Sequence, residues 1–414
     1  MIPIVPLGAD GRPKSASRAG AFAAPGLLHL AALPPLTLYI HFPWCVRKCP
    51  YCDFNSHEHP GTSADLPEAA YLEALTHDLQ AALPLVWGRR VHAVFIGGGT
   101  PSLLSVAGVD TLLGTVRALL PLEPDAEITL EANPGTLEAG KFAGFRQAGV
   151  TRLSIGVQSF DGQALVALGR IHDPNEALRA VEDAQRSFEN VNLDLMYALP
   201  NQSLEAMRRD LQTALAFAPA HLSVYHLTIE PNTVFAKYPP RLPADDSAAA
   251  MQEEVEGLTR AAGYGQYEIS AYAQPGRQSR HNLNYWNFGD YLGIGAGAHS
   301  KLSFPERIVR QARLRQPAAY LERAGQGRSL LAEESEVSVR DLPFEFMLNA
   351  LRLVEGVPLA RFAERTGLAS AAIQAKLDEA SSLGLLECDA QRIRPTERGR
   401  RFLNDLQVLF LPDE

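Results

Sequence analysis

The sequence predicts an α/β protein built on a sheet of parallel strands and followed by a smaller, winged-helix-like helical domain. From residue 37 onward, short apolar runs rich in β-forming residues alternate with longer amphipathic stretches,. Beyond about residue 340 this alternation gives way to three amphipathic helices, a short hairpin and a last helix,. Parallel strands joined by helices need right-handed crossovers, so the sheet is either an open doubly wound sheet or part of a barrel.

Six candidate strands and five helical stretches carry this prediction. The strands are LTLYIHF, HAVFIGGG, EITLEANP, RLSIGVQSF, VNLDLMYALP and HLSVYHLTIEP. The helical stretches between them are YLEALTHDLQAAL, DTLLGTVRALL, GKFAGFRQAG, PNEALRAVEDAQRSF and LEAMRRDLQTALAF. After about residue 240 the pattern fades into a tract rich in aromatic residues and glycine,.

Polar or glycine residues stand at the end of each candidate strand. They are His41, the run Gly97 to Thr100, Glu131, Gln158, Asp194 and the run Tyr225 to Glu230. A single polar residue at such a place often only caps the next helix. Because the carboxyl ends of parallel strands meet at one edge of a sheet, the whole series instead predicts a ligand site there.

Composition limits the classes of function. The chain has 414 residues, four cysteines and a net charge of -9, with acidic and basic residues well mixed. This balance argues against a polyanion-binding or membrane-surface protein. No apolar run is long enough to span a bilayer, and no signal peptide is recognisable,. Free thiols fit a reducing compartment, so we expect a cytoplasmic protein.

Three of the four cysteines lie together in WCVRKCPYCDF, where Cys45, Cys49 and Cys52 form a C-x3-C-x2-C pattern. Phe54 follows where a fourth cysteine would fit, and Cys388 is far away in the sequence. Three thiols suit neither a disulfide framework nor a closed four-cysteine zinc site. They can each bind one iron of a [4Fe-4S] cluster, which leaves the fourth iron open to an external chelate.

A mononuclear zinc site is the alternative interpretation of these cysteines. Zinc would take the three thiolates and complete a tetrahedron with His41 or His57, which flank the motif,. We favour the iron-sulfur cluster.

The cysteine motif after the first strand resembles the radical S-adenosylmethionine superfamily, in which the cofactor's amino and carboxylate groups chelate the open iron. Over about residues 37 to 400 the chain resembles the heme-chaperone branch of the oxygen-independent coproporphyrinogen III oxidase family. The stretches that carry this resemblance are YIHFPWCVRKCPYCDFNSH, GGGTPS, EANPG, RLSIGVQSF, LGRIH, DLMYALP, LTIEPNT, HNLNYW and YLGIGAGAHS. It implies a partial (β/α)6 TIM-like barrel of parallel strands, a [4Fe-4S] cluster and S-adenosylmethionine, whose reductive cleavage yields a 5'-deoxyadenosyl radical.

Four parts of the chain are predicted. They are a loosely ordered extension over residues 1–36, a radical S-adenosylmethionine core over 37–272, the family's connecting region with HNLNYW over 273–340, and the winged-helix-like domain over 341–414. The last part carries a basic cluster of Arg392, Arg394, Arg398, Arg400 and Arg401. Such a cluster can indicate DNA binding, but nearby acidic residues dilute it, so we expect a packing module and no nucleic-acid partner.

The resemblance also assigns binding residues and no catalytic residue. The residues placed at the cluster are Cys45, Cys49 and Cys52 as ligands, with Tyr39 and Tyr51 beside cluster and nucleoside. The residues placed at the methionine end of the cofactor are Gly98, Gly99 and Thr100, with Arg170 holding the carboxylate through a charge-assisted contact. The residues expected to take the ribose hydroxyls or the ammonium group are Glu131, Gln158 and Asp194. At the glycines, absent side chains would let backbone groups approach the ligand.

Two functions compete on this resemblance. The family's oxidases resemble C-x3-C-x2-C-x-C, and Phe54 departs from that pattern, which puts decarboxylation of coproporphyrinogen in doubt. HNLNYW resembles the chaperone branch, so His281 is a candidate heme ligand and Tyr285 and Trp286 candidate porphyrin contacts; a loop histidine in an interdomain aromatic core is the alternative. We expect a heme chaperone that delivers heme to acceptor proteins of the respiratory chain. A radical oxidoreductase acting on a porphyrinogen is the competing function, and homodimerisation is left open.

Overall fold

The N-terminal part of the chain is described only from Leu28 onward. The described residues of the computed structural model are 28–59, 65–135 and 140–412. The extension predicted over residues 1–36 therefore lies largely outside the described residues. In its described part, Leu28 and Leu30 are buried in a hydrophobic core that they share with helices of the C-terminal domain.

The described residues contain seventeen strands, of which twelve form the main sheet. The strands are β1 (Leu36–Phe42), β2 (Trp44–Cys45), β3 (His57–Glu58), β4 (Val91–Gly98), β5 (Leu122–Ala132), β6 (Arg152–Gln158), β7 (Val191–Tyr197), β8 (His221–His226), β9 (Gly265–Glu268), β10 (Ala271–Ala273), β11 (Asp290–Ile294), β12 (His299–Phe304), β13 (Arg307–Arg313), β14 (Leu331–Glu336), β15 (Val357–Pro358), β16 (Leu386–Cys388) and β17 (Arg392–Pro395).

The main sheet has the order β14-β13-β12-β11-β1-β4-β5-β6-β7-β8-β10-β9. The strands from β11 through β1 to β8 all run parallel to their neighbours. Within the described part of the chain the sheet does not close, since β14 and β9 remain at its two edges. The predicted α/β fold is thus confirmed, with the six predicted strands side by side as β1 and β4 to β8.

The sheet also extends beyond the six predicted strands. After β8 the chain adds the antiparallel strands β10 and β9 at one side. At the other side it adds β11 parallel to β1 and then the antiparallel series β12, β13 and β14. The tract in which the sequence pattern faded therefore continues the sheet rather than leaving it.

The five predicted helical stretches form helices. The helices outside the C-terminal domain are Glu68–Ala82, Val106–Leu119, Phe142–Ala148, Gly162–Ala167, Pro174–Ser187, Leu204–Ala216, Val234–Lys237, Asp245–Ala261, Arg280–Trp286 and Pro317–Gly325, with 3-10 turns at Leu83–Leu85 and Pro101–Leu103. Pro174–Ser187 shows the local reason for such a helix: Asp173 and Glu176 form a reciprocal capping box at its start,. Its buried residues, among them Ala177 and Val181, form one apolar stripe against the sheet,.

The two faces of the parallel strands differ in polarity. One face packs against the helices as the largest hydrophobic core, with Leu130 and Leu193 among its members. The other face is polar. Alternate residues of β6, β7 and β8 point to this side of the sheet, and several of them are polar,. The buried polar residues on this face include Arg152, Ser154, Asn192, His221 and Ser223. Hydrogen bonds join them across strands, such as Asn192 Nδ2 to Ser154 Oγ at 2.7 Å.

The C-terminal domain has the helices and hairpin that the sequence predicts. Its helices are Leu342–Ala350, Ala360–Thr366, Gln374–Ser382, Glu397–Arg401 and Leu403–Val408, with a 3-10 turn at Ser370–Ile373. Strands β15, β17 and β16 form a small antiparallel sheet. Three arginines of the predicted basic cluster contact the protein itself: Arg392 bonds the Glu355 carbonyl, Arg398 the Leu383 carbonyl, and Arg401 pairs with Glu253.

No helix in the described part of the chain is both long enough and apolar enough to cross a membrane.

Candidate functional site

The cysteine loop follows β1 at the carboxyl edge of the sheet and is held by contacts within the protein. The short strands β2 and β3 pair in parallel at its two ends. Lys48 Nζ donates to the carbonyls of Phe54 and Ser56 at 2.9 and 3.2 Å. Asn55 Nδ2 donates to the Ala296 carbonyl at 2.9 Å, which ties the loop to the chain after β11. The loop is thus organised by side chains other than the cysteines.

Cys45, Cys49 and Cys52 are free thiols that line one cavity. Among the described residues, no three His, Cys, Asp or Glu side chains are arranged to hold a single metal ion. Both ring nitrogens of His41 are engaged, with Tyr39 Oη at 2.9 Å and the Asn55 carbonyl at 3.0 Å. These contacts disfavour zinc with His41 as the fourth ligand,.

The cavity has a volume of roughly 370 Å³ and lies at the carboxyl ends of the parallel strands. It brings together eleven of the thirteen predicted binding residues. These are Cys45, Cys49, Tyr51, Cys52, Gly98, Gly99, Thr100, Glu131, Gln158, Arg170 and Asp194. A volume in this range suits a single small organic cofactor. The reasoning from strand ends therefore located one real cavity, and the individual roles stay predictions.

The glycine run at the end of β4 is required by protein packing. Gly98 has φ +112°, and a Cβ there would lie 2.5 Å from the His41 ring,. A Cβ on Gly99 would lie 2.4 Å from the Trp44 carbonyl oxygen. The Gly98 N–H donates to Glu131 Oε2 at 3.0 Å, so this amide is already engaged within the protein. The glycines thus let the strand end approach β1 and the cysteine loop, whatever ligand the cavity takes.

Arg170 lies in the cavity wall next to the cysteines. Its Nη1 donates to Cys49 Sγ at 3.5 Å, and its Nη2 donates to the Gly156 carbonyl at 2.7 Å and Asn133 Oδ1 at 2.5 Å. Asn133 in turn donates from Nδ2 to Thr100 Oγ1 at 2.8 Å. Sequence reasoning did not single out Asn133. The signal was its place directly after β5 in EANPG, one residue beyond the buried end of a strand.

Two carboxylates line the inner part of the cavity. Burial, together with the neighbouring charge of Asp194, raises the pKa of Glu131 to about 7,. Burial also raises the pKa of Asp194, although Asn192 Nδ2 and Ser154 Oγ donate to its carboxylate at 2.8 and 3.1 Å. The cavity therefore offers acceptors whose charge depends on what binds there. Gln158, also in the wall, has φ +67°, an uncommon backbone conformation for a residue with a side chain,.

Tyr39 and His281 do not line the cavity. His281 stacks on Phe95 with ring centroids 4.9 Å apart and lies 6.3 Å from the Tyr39 ring. Its helix, Arg280–Trp286, is bound to the amino-terminal half of β5, because the Arg280 N–H donates to Glu127 Oε1 at 2.9 Å. Phe95, Tyr39 and the cavity residue Glu131 point to the same face of the sheet, so the imidazole lies on the polar face, nearer the amino-terminal ends of the strands than the cavity is,.

His281 is half-buried by the protein. Its Nδ1 is buried without a hydrogen-bond partner in the described structure. Burial, with a smaller contribution from His92, lowers the pKa of His281 to about 3, so the ring is neutral at physiological pH,. A neutral ring with an unpaired nitrogen is in the state that a metal ligand requires.

Comparisons with known proteins agree with this geometry. Residues 39–214 match the Radical SAM superfamily and residues 337–402 match the HemN C-terminal domain. Heme chaperone HemW of Escherichia coli is 52% identical over 389 residues, covering 93% of this chain and 100% of that protein. Heme chaperone HemW of Haemophilus influenzae is 48% identical, covering 92% and 99%, and that of Mycobacterium tuberculosis H37Rv is 35% identical, covering 90% and 94%.

A solved structure shares the fold. The coproporphyrinogen III oxidase HemN of Escherichia coli, described as a radical SAM enzyme, superposes with a TM-score of 0.77 at 22% identity. The match covers 95% of this chain and 98% of that one. Fold and cysteine-lined cavity thus define a radical SAM protein, a class that implies a [4Fe-4S] cluster and S-adenosylmethionine. Within that class, the chain belongs to the heme chaperone HemW family.

Proposed function

We propose that this protein is a heme chaperone that binds heme in the cytoplasm and delivers it to acceptor proteins, with respiratory-chain proteins as the expected class. The observation that carries the proposal is the 52% identity to a heme chaperone over 93% of the chain. HNLNYW, on helix Arg280–Trp286, and Phe54 in place of an oxidase-type cysteine support the same function.

In this proposal Cys45, Cys49 and Cys52 hold a [4Fe-4S] cluster and the adjoining cavity takes S-adenosylmethionine. The thiols fit the cluster because they are free and face one cavity. The residues that suit the ribose hydroxyls or the ammonium group are Glu131, Gln158 and Asp194. The cluster and the sulfonium would supply one-electron cleavage of a carbon–sulfur bond.

Heme would bind on the same face of the sheet as the cavity, nearer the amino-terminal ends of the strands, with His281 as an axial ligand,. The unpaired, neutral imidazole supports this role. The ring stacks on Phe95 along one face, and the residue is only half-buried in the described structure.

Phe54 separates this proposal from the oxidase function. Its side chain is 60% exposed beside the cysteine loop and provides no metal-binding atom. We therefore expect this protein not to decarboxylate coproporphyrinogen III.

The test uses anaerobically reconstituted wild type and His281→Ala. We measure heme binding by absorption, heme transfer to the apo form of a b-type cytochrome, and porphyrin products after incubation with coproporphyrinogen III, S-adenosylmethionine and dithionite. Wild type should bind one heme per chain and form no protoporphyrinogen IX. His281→Ala should change the heme spectrum and slow transfer, with iron content unchanged, because only the heme-iron ligand is lost.

Controls identify which part of the proposal fails. His77→Ala, on helix Glu68–Ala82 and outside the cavity wall, should behave as wild type. Cys49→Ser should lose iron, whereas Cys388→Ser should keep it. Decarboxylated product from wild type would favour the oxidase function. An unchanged spectrum and transfer rate in His281→Ala would exclude His281 as the heme ligand.

A further inference from the structure

The guanidinium of Arg170 is held by the protein before any ligand arrives. Both terminal nitrogens donate within the cavity wall: Nη2 to Asn133 Oδ1 and the Gly156 carbonyl, and Nη1 to Cys49 Sγ. The Arg170 Nε is buried and has no hydrogen-bond partner in the described structure. A group whose only task was to hold a cofactor carboxylate would not need a donor directed at a cysteine sulfur.

Asn133 fixes this pose because its amide bridges two strand ends. Asn133 follows β5; its Nδ2 donates to Oγ1 of Thr100, after β4, at 2.8 Å, and its Oδ1 accepts from Arg170 Nη2 at 2.5 Å. Both amide atoms are thereby engaged, and the Oδ1 acceptor faces the guanidinium. Gly156 keeps the space open, since a Cβ there would lie 3.1 Å from Asn133 Oδ1 and 3.5 Å from Arg170 Nη2.

We propose that Arg170 raises the reduction potential of the iron-sulfur cluster through its hydrogen bond to the Cys49 thiolate, and that Asn133 is the positioning residue that holds it there. The inference rests on the proposed cluster site. A reduced cluster carries one more negative charge than the oxidised cluster, so a cationic N–H donor on a ligating sulfur stabilises the reduced form more. Arg170 would then act on the cluster even without S-adenosylmethionine.

The test is a potentiometric titration of the reconstituted cluster, followed by electron paramagnetic resonance, without S-adenosylmethionine. Dithionite supplies the single electron that the cluster gains. In Arg170→Gln the reduction equilibrium should shift about tenfold toward the oxidised cluster, which is about 59 mV for one electron. Asn133→Ala should shift the reduction equilibrium in the same direction by a smaller amount. In this variant the guanidinium keeps its positive charge and its hydrogen bond to the Gly156 carbonyl, but it loses the Asn133 Oδ1 acceptor.

Arg186→Gln is the matched control for charge. Arg186 lies on helix Pro174–Ser187, is exposed, and in the described part of the chain pairs with Glu182 and Asp183 on the same helix. This variant removes the same charge from the protein and should leave the potential unchanged. S-adenosylmethionine affinity is measured in parallel, because a residue that only clamps the carboxylate would weaken cofactor binding without changing the potential of the cofactor-free cluster.

Each outcome is decisive. Wild type without bound iron would overturn the proposed cluster site rather than this inference. Equal potentials in wild type, Arg170→Gln and Asn133→Ala, all with full iron content, would overturn the redox role. If Arg170→Gln fails to hold iron, the Asn133→Ala potential decides alone, since that variant keeps the arginine.

Discussion

At the scale of single residues, Glu131 both connects two strands and lines the cavity. One of its oxygens accepts the Gly98 N–H, which connects β5 to the end of β4. The same carboxyl lines the cavity, where burial and the charge of Asp194 raise its pKa to about 7. Near pH 7 the ligand-free protein therefore holds Glu131 in both its protonated and its ionised form, and a cationic ligand would favour the ionised form.

Wild type should lose stability as the pH rises because of Glu131, and Glu131→Gln should remove this loss,. The folded pKa of about 7 exceeds the ordinary value of 4.5, so the folded state retains a proton that the unfolded state releases. Glu131 thus stabilises the fold below about pH 4.5, and this contribution is lost as the pH rises through 7. Between pH 5 and 8, wild type should lose about 2 kcal/mol relative to Glu131→Gln.

Urea unfolding of the ligand-free proteins at several pH values measures this difference. Glu73→Gln, exposed on helix Glu68–Ala82, is the control and should follow wild type at every pH. Parallel pH profiles for wild type and Glu131→Gln would show that the carboxyl is ionised like an ordinary glutamate.

Site residues were predictable where a sequence pattern carries their position. The cysteines follow from their C-x3-C-x2-C spacing, and the strand-end residues follow from the alternation of strands and helices, because parallel strands present their carboxyl ends together. Asn133 was missed because a single amide after a strand has no pattern of its own. The location of His281 away from the cavity could not be predicted either, since it depends on where the chain returns to the sheet after β10.

At the scale of elements, helix Arg280–Trp286 packs on the polar face of the sheet, toward the amino-terminal ends of β4 and β5. The buried Ser279 caps it by accepting the Asn282 N–H at 3.3 Å,. Asn284, also buried, donates from Nδ2 to the Asp290 carbonyl at 2.8 Å, which attaches the helix to β11. Trp286 packs under the Arg352 guanidinium at 4.3 Å, so the helix also contacts the C-terminal domain,.

Asn284→Ala should loosen this helix. The substitution leaves the buried Asp290 carbonyl without the amide donor and should cost about 1–2 kcal/mol. Urea unfolding measures the total cost, and amide hydrogen exchange of residues 280–286 shows whether the effect is local. Asn282→Ala is the matched control, because the Asn282 side chain makes no hydrogen bond in the described structure. Equal exchange in the two variants would mean that Asn284 does not attach the helix.

The elements that the sequence did not predict have weak hydrophobic patterns. Strand β14 is exposed along most of its length, so no apolar alternation marks it,. Strand β11 is short and contains Gly293, whose Cβ would lie 1.9 Å from the His299 carbonyl oxygen. Strand β12 can approach β11 this closely only because residue 293 is glycine, a residue with low strand propensity,. These strands are set by tertiary contacts rather than by local preference.

At the scale of the whole molecule, Asp290 connects the sheet to the second hydrophobic core. Its fully buried carboxylate pairs with Lys301 Nζ at 2.9 Å and Arg89 Nη1 at 2.8 Å. The Ser303 hydroxyl donates to it at 2.7 Å. The Lys301 ammonium also lies 4.0 Å above the ring of Phe288, a member of the core formed with the C-terminal helices. One network of charges thereby links both cores.

Asp290→Ala should be the most destabilising of the substitutions considered. It leaves the buried ammonium of Lys301 without its counter-ion, and breaking such a pair from one side costs about 3–5 kcal/mol,. Lys301→Met added to Asp290→Ala should recover part of that loss, because the uncompensated charge is gone. Urea unfolding measures all three proteins against Asp125→Ala, whose pair with Arg280 is exposed to solvent and should contribute little to stability,. A loss no larger for Asp290→Ala than for Asp125→Ala would mean that water reaches the network and that the two cores are joined by apolar packing alone.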